Sequence, residues 1–166
     1  GFGDANDFDL IQRVAKMLSA SKLIPATFQN NVADCIIGVD LAKRMNAPVL
    51  SLMQNMYIVH GKPSWSSQFL IAQINSSRKF STALQFDYTG EEGSDKRGCY
   101  AYAKDHEGKT YKGPTVTMAM AQKEGWVSKS GSKWQTMPEL MLAYRAATFF
   151  ARLYVPEITM GLLTQE

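Results

Sequence analysis

Arg145 and Arg152 stand seven residues apart in a segment, Pro138 to Tyr154, whose apolar spacing predicts a helix. At about 100° per residue they fall on one stripe with Met141, Leu142 and Phe149, roughly 10 Å apart along the axis. Leu140, Tyr144, Ala147, Ala151 and Tyr154 take the opposite side. The helix is therefore apolar nearly all round and is expected to be buried, yet it carries two guanidinium groups. A guanidinium among apolar side chains needs an anion. Two chemistries supply one: a carboxylate from another element, or the phosphates of a nucleic acid, for which roughly 10 Å is on the order of three nucleotides.

Just upstream, Lys123, Lys129 and Lys133 alternate with Trp126 and Trp134, and Gln135 and Thr136 follow. Basic residues mixed with aromatic ones suit single strands, where cations meet phosphates and unpaired bases stack on rings. The plainer alternatives are a solvated loop for the lysines and core anchors for the tryptophans, with the core role favoured for Trp134. Lys129, Lys133, Trp134, Gln135, Thr136, Arg145 and Arg152 are the candidate DNA-binding residues.

Other chemistries find less support. Asp34, Asp40, Asp87, Asp95 and Asp105 are scattered and form no paired-carboxylate motif at a strand end, as a metal nuclease would need. His60 and His106 lack metal-ligand spacing, and His60 beside Gly61 is more ordinary as a structural residue than as a general base. No glycine loop of the nucleotide-binding type occurs, so any activity is expected to be independent of ATP. Neither a catalytic residue nor a metal or cofactor is expected. Cys35 and Cys99 form no CxxC pair and read as buried, reduced thiols of a cytoplasmic protein. A net charge of +3 permits nucleic-acid binding without demanding it. With 166 residues, 45% of them hydrophobic, the chain is expected to form one domain spanning positions 1–166. It has no apolar run long enough to span a membrane, and Gly1-Phe2-Gly3-Asp4 does not look like a signal peptide.

The elements that must carry these residues follow from periodicity. A helix is expected from Asp7, with Phe8, Ile11, Ala15 and Leu18 on one face. Ser21 to Phe28 reads as a loop, and Gln29-Asn30-Asn31 passes abruptly into a second, largely buried helix capped by Asn31 and running to about Met45. A short apolar segment, Val49 to Met53, precedes a strand at Met56–His60 and a turn at Gly61-Lys62-Pro63. Helical spacing resumes at Trp65 and fades near Ser77. Strands are expected at Leu84–Tyr88, Cys99–Lys104 (half-exposed, with Tyr100 and Tyr102) and Thr115–Met118. The turn Asp105–Gly108 marks a hairpin. A short helix near Ala119–Glu124, a linker at Lys129–Lys133 and the final helix, N-capped by Thr136, complete the order. This order predicts an α+β fold, with helices packed on a small, mostly antiparallel sheet and a long buried C-terminal helix.

The stretch Trp134-Gln135-Thr136-Met137-Pro138-Glu139-Leu140-Met141-Leu142-Ala143-Tyr144-Arg145-Ala146 resembles a segment of the RecT/Redβ family of phage single-strand annealing recombinases. The shared pattern is Trp, a hydroxyl residue two on, Pro, Met three later, then a basic residue followed by Ala. Ala151-Arg152-Leu153 matches at the same spacing, and Gly161–Glu166 resembles the acidic segment after that helix. Trp65-Ser66, Phe80, Phe86 and Cys99-Tyr100-Ala101-Tyr102 fit in order, so the likeness covers about Tyr57 to Glu166.

The resemblance implies ATP-independent binding of single-stranded DNA and annealing of complementary strands. It implies a homo-oligomer, as a ring or filament, holding single-stranded and annealed duplex DNA in a continuous basic groove. It also implies a partner exonuclease and a place in the cytoplasm of a bacterial host. Arg145 matches a basic groove residue and Arg152 an arginine of the same helix. Glu139 departs from the pattern, standing where Redβ has a basic residue; that contact is either lost here or made by another residue, with Lys133 the candidate. The competing readings are a protein that protects single strands without annealing them, a nuclease, and a phage structural protein that oligomerises without DNA.

Overall fold

The computed structural model describes residues 5–159 and 163–164. The expectations for Gly1–Asp4, and those for Gly161–Glu166 apart from Leu163–Thr164, lie outside the described residues. The chain divides into two compact units that meet between Ile58 and Val59.

The first unit is helical: α1 (Ala5–Ser19), α2 (Val32–Met45) and α3 (Val49–Asn55), with a 3-10 turn at Ala26–Phe28. Ile11 and Ala15 of α1 are buried, together with Phe28, Cys35, Val39, Ala42, Leu52 and Met53. The Asn31 side chain caps α2, accepting from the Asp34 N–H at 3.1 Å. Asn46, in the left-handed region (φ 52), closes it. The abrupt Gln29–Asn31 passage is a tight turn in which Asn30 (φ 56) donates its N–H to the Ser19 carbonyl at 2.7 Å. Two expectations change here. The apolar segment after Pro48 is a helix, because Leu52 and Met53 turn into the core together. Helix α2 is less buried than its composition suggests: Ile37 is 51% exposed.

The second unit carries the sheet. Strand β1 (Met56–Val59), whose first three residues belong to the first unit, leads through His60 and Gly61, both left-handed (φ 50 and 76), to β2 (Lys62–Trp65) and α4 (Ser67–Ser76). Strands β3 (Gln85–Thr89), β4 (Gly98–Lys104) and β5 (Thr110–Lys112) form an antiparallel sheet, and β6 (Val116–Thr117) pairs with the start of β4. Helices α5 (Met118–Lys123), α6 (Lys133–Thr136) and α7 (Pro138–Tyr154) follow, then a 3-10 turn at Pro156–Thr159 and a short strand, β7 (Leu163–Thr164), parallel to β2. The protein is α+β, with the long helix α7 packed on β4, as the periodicity predicts.

The contact between α7 and β4 is built from small residues. Cys99, Ala101 and Ala103 point into the core from β4, and Ala143, Ala146, Ala147 and Ala151 answer from α7. Gly113 lies so close to the helix that an added Cβ would stand 3.2 Å from both Cα and Cβ of Phe150. Small side chains let the helix backbone come down onto the strand, while Phe150 and Leu142 fill the space on either side.

Three local expectations are corrected. The predicted turn at Gly61-Lys62-Pro63 is centred one residue earlier, and Lys62–Trp65 is a strand. Helix α4 accordingly starts at Ser67, capped by the Ser66 hydroxyl, which accepts from the Phe69 N–H at 3.1 Å. Thr136 is not the N-cap of α7: it ends α6, and Met137 takes the cap position without a side-chain bond. The predicted linker ends at Ser132, because the Ser132 hydroxyl caps a helical turn that begins at Lys133.

Candidate nucleic-acid interface

Helix α7 and the segment before it gather most of the predicted residues. Trp126 and Trp134 stack face to face, with ring centres 5.3 Å apart and planes 27° from parallel. One hydroxyl sets this pair: Ser132 donates to the Trp126 carbonyl at 2.7 Å and accepts from the Trp134 N–H at 3.2 Å. Gln135 braces the same loop, its side-chain amide donating to the Val127 carbonyl at 2.6 Å. Arg145 completes the stack, its guanidinium 4.1 Å from the centre of the Trp126 ring. A cation over an indole face is attracted by the ring quadrupole, most strongly where water is excluded.

Burial separates the predicted residues into two groups. Arg145 is 6% exposed, Trp126 8% and Trp134 9%, so the cation and both rings belong to the interior. Lys129, Lys133, Gln135, Thr136 and Arg152 are exposed. The two arginines of one stripe thus differ: Arg145 lies against Trp126, whereas Arg152 reaches the surface beyond Phe149, its guanidinium 5.8 Å from that ring.

The departure at Glu139 has a structural role. Its carboxylate accepts from Arg97 Nε at 3.0 Å and from Nη2 at 2.8 Å, while Arg97 Nη1 donates to the Gly90 carbonyl at 3.1 Å. The same guanidinium lies 5.0 Å from the Tyr88 ring centre, and the Tyr88 hydroxyl donates to the Glu139 carbonyl at 2.8 Å. Burial, with Cys99 and Glu139 close by, pushes the Tyr88 phenol above its ordinary value, so it remains a donor. The cluster fastens the first turn of α7 to the β3–β4 loop. A cleft beside it is lined by Arg97, Gln122, Trp134, Gln135 and Pro138.

The aspartates serve local structure. Asp40 is buried and bonded to Arg44 at 3.0 Å; Asp34 belongs to the α2 cap; Asp105 holds the β4–β5 turn by accepting from the N–H groups of Glu107 and Lys109, both at 2.9 Å. His106 bonds the Arg78 carbonyl at 2.7 Å. Among the described residues no group of three His, Cys, Asp or Glu side chains is placed to hold a metal ion, and no helix is long and apolar enough to cross a membrane.

One surface escaped the sequence reading. The face of the sheet turned away from α7 carries Tyr100 and Tyr102, half-buried, with ring centres 5.8 Å apart. Lys112 sets its ammonium 4.1 Å from the Tyr100 ring centre, and the Tyr100 hydroxyl donates to Asp87 at 2.9 Å. The alternation of Tyr100 and Tyr102 was visible in the sequence, but their partners come from neighbouring strands. Compared with models of known protein families, with curated proteins and with solved structures, the chain matches none.

Proposed function

We propose that the protein binds single-stranded DNA and anneals complementary strands without ATP, as a recombinase of the RecT/Redβ type. One observation supports this most. From Gly125 to Val155 the chain contains a single carboxylate, Glu139, and Arg97 engages it. Lys129, Lys133 and Arg152 stand exposed on this same stretch. A stretch so rich in basic relative to acidic residues attracts a polyanion.

In this reading Lys129, Lys133 and Arg152 hold phosphates, while Gln135 and Thr136 add polar contacts. Arg145 and Trp134 support that surface from beneath: the stack of Arg145, Trp126 and Trp134 stiffens the loop that bears the lysines. Neutralising phosphates lowers repulsion between two like-charged strands. Bases left free then test complementarity, so Watson–Crick pairing supplies the sequence choice and the protein supplies charge and geometry. Copies assembled side by side as a ring or filament extend the strip into a groove, with an exonuclease as the source of single strands.

The test is annealing of two complementary oligonucleotides, one labelled, without ATP. Acceleration above the spontaneous rate is expected, weakening steeply with salt; log affinity against log salt should slope by about −0.7 per phosphate contact. Binding that slows pairing would replace annealing by strand protection, and no binding at all would refute both.

A further inference from the structure

We propose that the outer face of the β3–β4–β5 sheet is a second contact surface for single-stranded nucleic acid, with unpaired bases stacking on Tyr100 and Tyr102 and phosphates meeting Lys112 and Lys104. This inference rests on the single-strand binding proposed above and adds a site separate from the strip along α7.

The strand register builds the surface. Gln85, Tyr102 and Lys112 lie side by side across the three strands, Asp87 faces Tyr100, and Lys104 faces Thr110. Residues opposite each other across a ladder share a face, so two tyrosines and two lysines stand together on the side away from α7. Lys104 and Lys112 are exposed. The only carboxylate in these registered rows, Asp87, accepts the Tyr100 hydroxyl bond at 2.9 Å, which fixes that ring in place. Lys112, already 4.1 Å from the Tyr100 ring centre, puts an ammonium beside an aromatic surface, where the phosphate next to a stacked base needs a partner.

These rings are not needed to close the core. The core under this sheet is already closed on its other face by α7, through Cys99, Ala101 and Ala103. A strand that needed only solubility on its outer face would be served by Thr, Lys or Glu. Rings flanked by lysines are instead the combination that binds unpaired bases without regard to sequence, because every base has a π-face. For an annealing protein, a surface apart from α7 gives a second strand somewhere to lie while the first is held.

Photo-cross-linking of the unmodified protein to an iodouracil-substituted oligonucleotide, followed by peptide mapping, tests the placement. Adducts on Tyr100 or Tyr102 are expected; adducts confined to residues 123–152 would overturn it. In parallel, Tyr100→Leu/Tyr102→Leu is compared with the unmodified protein on oligothymidine and on its abasic counterpart. A roughly tenfold or greater loss on the base-bearing strand, with little change on the abasic one, is expected from two lost stacking contacts. If the double variant changes its oligomeric state but keeps its preference for bases, the face belongs to a second copy of the chain and the proposal falls. If the unmodified protein binds neither oligonucleotide, single-strand binding itself falls. If it binds and the tyrosines take no adduct and make no difference, only the sheet face does.

Discussion

The guanidinium of Arg145 lies 4.1 Å from the centre of the Trp126 ring, and that ring is itself stacked on Trp134. A cation in the interior is thus layered with two indoles, nineteen and eleven positions upstream in sequence. The arrangement ties α7 to the loop carrying Lys129 and Lys133, and it separates the roles of the two arginines on the α7 stripe.

Arg145→Ala should destabilise the fold by about 2 kcal/mol or more, from the lost stack and the lost packing of its stem. Arg152→Ala, at an exposed position, should cost less stability than Arg145→Ala. Its effect should appear in DNA binding, as a weaker complex whose salt slope falls by about 0.7. Urea melts and salt titrations of both variants check this. If Arg145→Ala proved as stable as the unmodified protein while its DNA affinity dropped, Arg145 would be a direct phosphate contact.

Glu139→Lys would make this position basic. The Arg97 partner makes the outcome unfavourable. The new ammonium faces a guanidinium, and the fastening of the β3–β4 loop to α7 is lost. Stability should fall by roughly 1–2 kcal/mol, discounted because the pair is partly exposed. Arg97→Gln in the same chain should recover part of that loss. A double-mutant cycle measured by denaturant melts gives the coupling, and a coupling near zero would remove the clamp from the account.

Gly113→Ala should cost about 1–3 kcal/mol, because its Cβ would meet Cα and Cβ of Phe150 at 3.2 Å, so that α7 would have to move off the sheet by a few tenths of an ångström. Thermal melts check the size. A variant as stable as the parent would mean that α7 can shift on the sheet.

Cys99 should resist alkylation in the native state. Burial, with Asp87 adding to it, pushes its thiol up to about 11, so almost no thiolate exists at neutral pH. The unfolded thiol loses its proton first, so this contribution to stability is present below the ordinary thiol value of 9.0 and is lost as pH climbs toward about 11. Cys35, also raised by burial, should behave alike. Labelling with a thiol reagent should therefore track unfolding; rapid labelling of either residue in the folded protein would contradict it.

Much of the fold was legible because periodicity reports burial directly. The all-round apolar pattern of Pro138–Tyr154 and the alternation through Cys99–Lys104 gave both halves of the central contact. Lys62–Trp65 was not legible: four residues containing Pro63 carry no alternation, and their pairing with Leu163–Thr164 is set about a hundred residues away. The candidate interface was legible in residue type but not in placement. Nothing local reveals that Ser132 joins Trp126 to Trp134, or that Arg145 lies on the resulting stack. Alternation marks Tyr100 and Tyr102 as half-exposed, while the lysine that accompanies them sits on the next strand.

Helix α7 also sets an order of events during synthesis. The strands β3, β4 and β5 leave the ribosome before the helix that covers them, so for a time the inner face of the sheet has no partner. On the central strand that face presents only Cys99, Ala101 and Ala103, but Phe86 and Tyr88 of β3 and Tyr111 of β5 stand beside them on the same side. Until α7 is made, those three rings are the part of the sheet most open to wrong partners.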